Sequence, residues 1–222
     1  FARPMLRIDL ISDFSCPWCF IGERRLTQVL QELGRAAAIT YHPFLLNADL
    51  PPEGVDLRDY LRQRYGGDPQ EMLAGVEAAA RETGLPLDFS KVTRFPNTVA
   101  AHTLMRHAPS PAAQAALADA LFTANFLEGR DLSDRALLAR LALAHGFSSG
   151  EAERLVADEA EHAQTRRIAA SLSSQGISGV PFFIFGQKAA FSGAQPTEVF
   201  RRAIAQADAG DPIAVCQSPS RT

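Results

Sequence analysis

Ser12-Asp13-Phe14-Ser15-Cys16-Pro17-Trp18-Cys19-Phe20-Ile21-Gly22 is the stretch whose flanks decide the fold. Before it, Met5 to Ser12 is short and rich in Ile and Leu, the pattern of a strand buried in a sheet, and Asp13-Phe14-Ser15 breaks it. After it, Phe20, Ile21, Leu26, Val29, Leu30 and Leu33 recur at helical spacing as far as Gly34, where a helix stops. Pro17 suits the first turn of that helix, because its missing N–H would have no partner there. Ala38 to Phe44 reads as a second strand. The opening is therefore strand, helix, strand, with a Cys-x-x-Cys at the first junction.

From about Leu57 to Leu172 no strand is convincing and helical periodicity repeats. The spacing predicts helices over Leu57–Tyr65, Pro69–Thr83, Thr98–His107, Pro111–Glu128, Asp134–His145 and Gly150–Leu172, separated by Gly, Pro or Asp/Ser breaks. The strand signal returns at Val180-Pro181-Phe182-Phe183-Ile184-Phe185, and Gly186-Gln187 offers a turn into Lys188–Ser192, so a hairpin is expected. Pro196 to about Ala207 closes with a helix, followed by a turn-rich tail containing Cys216. The order βαβ, helical insert, ββα is an α/β chain in which residues 1–56 and 173–209 form one discontinuous domain, 57–172 a helical insertion, and 210–222 a loose tail.

The place of Cys16 and Cys19 specifies their chemistry. A thiolate attacks disulfides where a thiol does not, and the free N–H groups and dipole at a helix start stabilise negative charge on Cys16. Cys16 is the candidate nucleophile. Cys19, one turn further in, is placed to attack a mixed disulfide on Cys16 and release the substrate. Pro17 and Trp18 between them help set how oxidising the pair is and are candidate substrate-binding residues, with Trp18 expected to be partly exposed. The chemistry calls for no cofactor and no metal. A lone Cys-x-x-Cys is otherwise half a zinc site, but Cys216 and a histidine would have to complete it. Glu23, one turn after Cys19, is a candidate for moving its proton, or a solvated surface carboxylate beside Arg24 and Arg25. His102 either takes part in the chemistry or packs within the insert. Cys216 is either an idle thiol, a transient third partner for Cys16 or the site of an intermolecular bridge.

Composition bounds the partners. In 222 residues, 22 basic side chains stand against 25 acidic, a formal charge of −3 with no dense Lys/Arg run, so nucleic acid is excluded as the expected partner. No apolar stretch reaches the roughly 18 residues needed to span a bilayer, and no cationic segment followed by an apolar core opens the chain. The three cysteines are too few for a disulfide-stapled scaffold and fit a cytoplasmic setting. A periplasmic one stays open if a signal peptide has been removed.

The dithiol stretch, together with Pro43-Phe44-Leu45-Leu46-Asn47-Ala48-Asp49-Leu50-Pro51, Asn97-Thr98-Val99-Ala100-Ala101-His102, Gly179-Val180-Pro181-Phe182-Phe183 and Ser192-Gly193-Ala194-Gln195-Pro196, resembles the DsbA family of the thioredoxin superfamily, and within it the FrnE-like branch. The resemblance spans about residues 5 to 207. It implies a thioredoxin-like fold interrupted by a helical domain, and thiol–disulfide exchange with protein or peptide thiols and disulfides, with glutathione as a candidate reductant. It also implies that Pro181 faces the dithiol on a cis peptide bond and that Val180 presents backbone groups to the substrate; read from the residues alone, Pro181 could simply start an edge strand. The rivals are a kappa-class glutathione transferase or 2-hydroxychromene-2-carboxylate isomerase and a non-enzymatic binding module on the same fold. The former enzymes share the outline but carry Ser where Cys16 stands and an Asp-Arg pair near Ala194-Gln195.

Overall fold

Leu6, Ile8 and Leu10 alternate with Arg7 and Asp9, which gives strand β1 (Leu6–Ser12) one wholly buried apolar face. In the computed structural model, which describes residues 4–209 and the backbone of 214 and 215, β1 lies between β2 (Ala37–Pro43), which runs parallel to it, and β5 (Phe182–Phe185), which runs antiparallel. A parallel pair needs a crossover, and α1 (Pro17–Glu32) supplies it. That helix begins on Cys16 in extended conformation, with Pro17 in its first turn, and ends at Leu33 and Gly34, whose φ of 57° only glycine adopts without cost. The turn at Gly186-Gln187 joins β5 to β6 (Ala189–Ser192), and α9 (Thr197–Ala209) returns to pack beside α1. With the two-residue strand β7 (Ala214–Val215) beside β6, the sheet order is β2-β1-β5-β6-β7.

All the other helices fall between β2 and β5. They are α2 (Leu57–Tyr65), α3 (Pro69–Glu82), α4 (Val99–Arg106), α5 (Pro111–Phe126), α6 (Arg135–Ala144), α7 (Ser149–Leu155) and α8 (Glu159–Ser174). The side chains of Asp56, Asp68, Ser110, Asp134, Ser148 and Asp158 cap six of them by accepting first-turn N–H groups. Three features depart from the periodicity. The single helix expected over Gly150–Leu172 is two, because α7 ends at Leu155 with Val156 as its cap and Asp158 starts the next by capping the N–H groups of Ala160 and Glu161. Two short strands, β3 (Val55–Asp56) and β4 (Arg94–Phe95), pair antiparallel where no strand was expected; two residues are too few to show an alternation. Within the tail, β7 (Ala214–Val215) pairs parallel to β6, while Cys216 lies outside the described residues.

Aromatic packing gathers on two sides of α1. Phe183, Phe185 and Phe191 of the hairpin meet Phe200 of α9 edge-on, with ring centroids 4.9–6.5 Å apart. On the other side Phe20 stacks on Phe122 of α5 at 5.2 Å, and Phe122 in turn touches Phe14 at 4.8 Å. The helix behind the dithiol is thus wedged between the hairpin and the insert.

Gly22 is where that wedge is tightest. A Cβ there would stand 3.1 Å from both the Pro181 ring and the Phe183 ring, two buried groups with little room to yield. In α3, Gly75 has nothing within 4 Å of the same position. Gly75→Ala is expected to stabilise the protein by about 0.5–1 kcal/mol, the helix-propensity gain. Gly22→Ala is expected to lose about 1 kcal/mol net, a fall of about 2–4 °C in Tm, because overpacking outweighs that gain. Thermal melts of the two variants check the opposite signs.

Candidate active site

Cys16 and Cys19 are both free thiols. The Cys19 N–H donates to the Cys16 carbonyl at 3.1 Å, the first turn of α1 closing around the pair, and the Cys16 N–H donates to the Asp13 carbonyl at 3.0 Å. Cys16 keeps 5% of its surface exposed and Cys19 none, whereas Trp18 between them is 40% exposed. Burial pushes the Cys19 thiol well above its ordinary range, and a hydrogen bond with Cys16 adds to the effect, so Cys19 keeps its proton while its partner meets the surface. The Ser15 hydroxyl beside the pair is buried with no hydrogen-bond partner.

The Val180–Pro181 peptide bond is cis, and the Val180 carbonyl faces Cys16, whose Sγ lies 4.0 Å from the oxygen. Three further hydrogen bonds hold this segment. The Gly193 N–H donates to the Pro181 carbonyl at 2.7 Å, and Arg25 Nη1 of α1 donates to the carbonyls of Ala194 at 2.6 Å and Gln195 at 3.2 Å.

Behind the dithiol sits a carboxylate, 2% exposed, that the sequence reading treats only as the end of a strand. Asp13 Oδ1 accepts from the Thr98 hydroxyl at 2.7 Å and from the Ser15 N–H at 3.3 Å, and it meets His102 Nε2 at 3.3 Å; Oδ2 accepts from the Leu46 N–H at 2.9 Å. Burial by itself would push this carboxyl up. The His102 ring, the Leu46 N–H and the Thr98 hydroxyl outweigh it and hold the group below its ordinary value, as a buried anion. Asn125 of α5 completes the grip by donating to the Phe14 carbonyl at 2.9 Å.

Of the residues singled out from sequence, Cys16, Pro17, Trp18, Cys19, Val180 and Pro181 come together beyond the C-terminal end of β1, where β5 begins. His102 packs between the insert and the dithiol loop, its ring 4.9 Å from Phe14. Asp13, Thr98, Asn125 and Arg25 were missed as site residues, and no local signal could mark them. Thr98 and Asn125 lie 85 and 111 positions from the groups they bind. Among the described residues no cluster of three or more His, Cys, Asp or Glu could hold a metal ion, and no helix is long and apolar enough to cross a membrane.

A Cys-x-x-Cys that starts α1, a mixed sheet of order β2-β1-β5-β6-β7 and a helical insertion between its halves define a protein of thioredoxin-like fold. The chain belongs to the DSBA-like thioredoxin domain family, whose profile matches residues 7–205. It is similar to a probable DsbA oxidoreductase from Streptomyces coelicolor, at 28% identity and a TM-score of 0.79, over 98% of this chain and 93% of that one. At 18% identity it shares the fold of a 2-hydroxychromene-2-carboxylate isomerase, with a TM-score of 0.70 over 90% of this chain and 94% of that one. At 21% identity it shares the fold of the cytosolic disulfide reductase DsbM from Pseudomonas aeruginosa, with a TM-score of 0.56 over 91% and 95% of the two chains. DsbM has also been solved with GSH.

Glu23 has a different setting from the one its spacing suggests. It is half-buried and accepts a short hydrogen bond from the Tyr41 hydroxyl of β2, with Asp119 and Arg24 as its charged neighbours, whereas the charges acting on Cys19 are those of Cys16 and Asp13. Burial, offset in part by the Tyr41 hydrogen bond, raises the Glu23 carboxyl from 4.5 to about 7. A carboxyl raised by folding stabilises the protein fully below about pH 4.5, and that contribution is lost as pH rises through about 7. Glu23→Gln keeps an acceptor for Tyr41 and removes the charge. The variant is expected to match the wild type below pH 5 and to exceed it by about 1–2 kcal/mol above pH 8, a figure discounted for partial exposure. Denaturant unfolding across that range measures the difference.

Proposed function

We propose that the protein is a thiol–disulfide oxidoreductase or isomerase that acts on protein or peptide disulfides through the Cys16/Cys19 dithiol and a mixed-disulfide intermediate. The observation that carries the reading is the division of labour between the two sulfurs. Cys16 stands at the start of α1, keeps 5% of its surface exposed and faces the Val180 carbonyl; Cys19 is sealed behind it with its proton retained.

In the reducing direction the Cys16 thiolate attacks one sulfur of the substrate disulfide. A Cys16–substrate S–S bond forms, the substrate S–S bond breaks, and the departing thiolate takes a proton. Cys19 then loses its proton and attacks Cys16 Sγ. The Cys16–Cys19 disulfide forms, the second substrate thiol leaves, and two electrons have passed from protein to substrate. Run in reverse, the same steps oxidise a dithiol. Attack by the buried thiol on a neighbour already held one turn away is effectively intramolecular, which favours release over accumulation of the mixed species. Pro17 and Trp18 form the rim of the site, and the backbone of Val180 and Pro181 lies where an extended substrate segment would run.

A small thiol must reset the dithiol after each reducing turnover, and glutathione suits that role; the GSH-bound form of the related DsbM fold supports it. The FrnE-like placement and a cytoplasmic setting belong to the same proposal. Cysteine, not serine, at position 16, and the uncharged Ala194-Gln195 pair, support a cycling dithiol over the isomerase or glutathione-transferase chemistry that the fold also hosts.

Cys16→Ser is expected to lower the rate on a peptide disulfide by at least about 10³-fold. Cys19→Ser should retain the first attack and accumulate a mixed disulfide visible by mass spectrometry. Reduced wild-type protein with no rate above background on any peptide disulfide or dithiol near neutral pH would overturn the assignment.

A further inference from the structure

We propose that Arg25 is a positioning residue, whose guanidinium sets where the Val180 carbonyl stands relative to Cys16; this rests on the reading of Cys16/Cys19 as the working dithiol. A chain of contacts begins and ends on one helix. Arg25 Nη1 holds the carbonyls of two successive residues, Ala194 and Gln195, at 2.6 and 3.2 Å. Next to them the Gly193 N–H holds the Pro181 carbonyl at 2.7 Å, and Pro181 carries Val180, whose oxygen lies 4.0 Å from Cys16 Sγ. Cys16 and Arg25 are the first and last members of this circuit, and α1 carries both. Nine residues of helix span about 14 Å of rigid rod, so the element that presents the nucleophile also gauges the loop opposite it.

Guanidinium chemistry fits the task. An N–H of a charged group makes hydrogen bonds roughly twice as strong as neutral ones, and the planar head can hold two acceptors without reorienting. Two bonds within the loop are short-range: the Gln195 N–H donates to the Gly193 carbonyl at 2.9 Å, and Gln195 Nε2 donates to the Ser192 carbonyl at 2.9 Å. They shape the turn but do not tie it to α1. Packing supplies the second tie, since the absence of a side chain at Gly22 lets the Pro181 ring seat against the helix. Gly22 limits how closely the segment approaches, and Arg25 limits how far the following loop drifts.

The test separates positioning from the dithiol's own reactivity. Arg25→Met keeps an apolar stem and loses every donor; Arg25→Lys keeps the charge but not the planar fork. In Arg25→Met, hydrogen exchange at the Gly193 amide is expected to quicken about tenfold, the worth of one charge-assisted bond, while the Val29 amide in α1 is unchanged. KM for a peptide disulfide should rise about tenfold with kcat within about twofold, and single-turnover reaction of Cys16 with 5,5′-dithiobis(2-nitrobenzoate), which needs no docking on Val180, should stay within about twofold. Arg25→Lys should fall between the wild type and Arg25→Met in both exchange and KM, and it carries the test if the Met variant does not fold. Wild-type exchange at Gly193, an unchanged KM, or an equal loss toward both disulfides would overturn the proposal. Should the wild type prove inert toward peptide disulfides, the proposed function fails, and Gly193 exchange still decides whether Arg25 holds the loop.

Discussion

A single buried charge, the Asp13 carboxylate, is the constraint on which the arrangement of the site depends. An ion this far from water is tolerated only if its oxygens are met by donors, and leaving it unpaired would cost several kcal/mol. The donors come from three places: the Ser15 N–H of the dithiol loop, the Leu46 N–H after β2, and Thr98 and His102 at the start of α4. Satisfying the charge therefore pins the helical insertion and the segment after β2 to the loop that leads into Cys16. This explains why motifs far apart in the chain belong together. Pro43–Pro51 and Asn97–His102 converge on Asp13, and the Asn97 side chain donates to the Leu50 carbonyl, tying the two motifs to each other.

The insertion is in consequence part of the site. Its helix α5 supplies Phe122, which packs on Phe14 and Phe20 at either side of the cysteines, and Asn125, which holds the Phe14 carbonyl. Aromatic packing fixes where α1 lies, and the hydrogen bonds fix how the loop enters it. A change in the insert that moved α4 or α5 would be felt first at Asp13 and Phe14, both within three residues of Cys16. Stability and reactivity are coupled through that loop, since the same buried contacts serve both.

The two sulfurs differ because of depth. Burial and the hydrogen bond to Cys16 keep the proton on Cys19, the division of labour on which the proposed exchange relies. The same fold in a 2-hydroxychromene-2-carboxylate isomerase shows that the scaffold does not dictate the reaction. Chemistry is decided by which side chain occupies the start of α1 and by what faces it across the gap from the Val180–Pro181 segment.

The βαβ opening, the hairpin and most of the helices were legible in the sequence because strand alternation, helical spacing and capping residues are local signals. The positions of Cys16 and Cys19 at the start of α1 were legible for the same reason. Where local patterns are too short or too uniform, reading failed: β3 and β4 are two residues each, and Asp158 was hidden inside a continuous helical periodicity. Asp13 looked like a strand breaker and Glu23 like a surface acid beside two arginines, one of them Arg25. Only the tertiary structure decided otherwise, by burying Asp13 against Thr98 and His102, turning Glu23 onto Tyr41 and setting Arg25 on the carbonyls of Ala194 and Gln195. A side chain's identity shows what it can bond. Its partner, here as far as 170 residues away along the chain, is chosen by packing that no local pattern records.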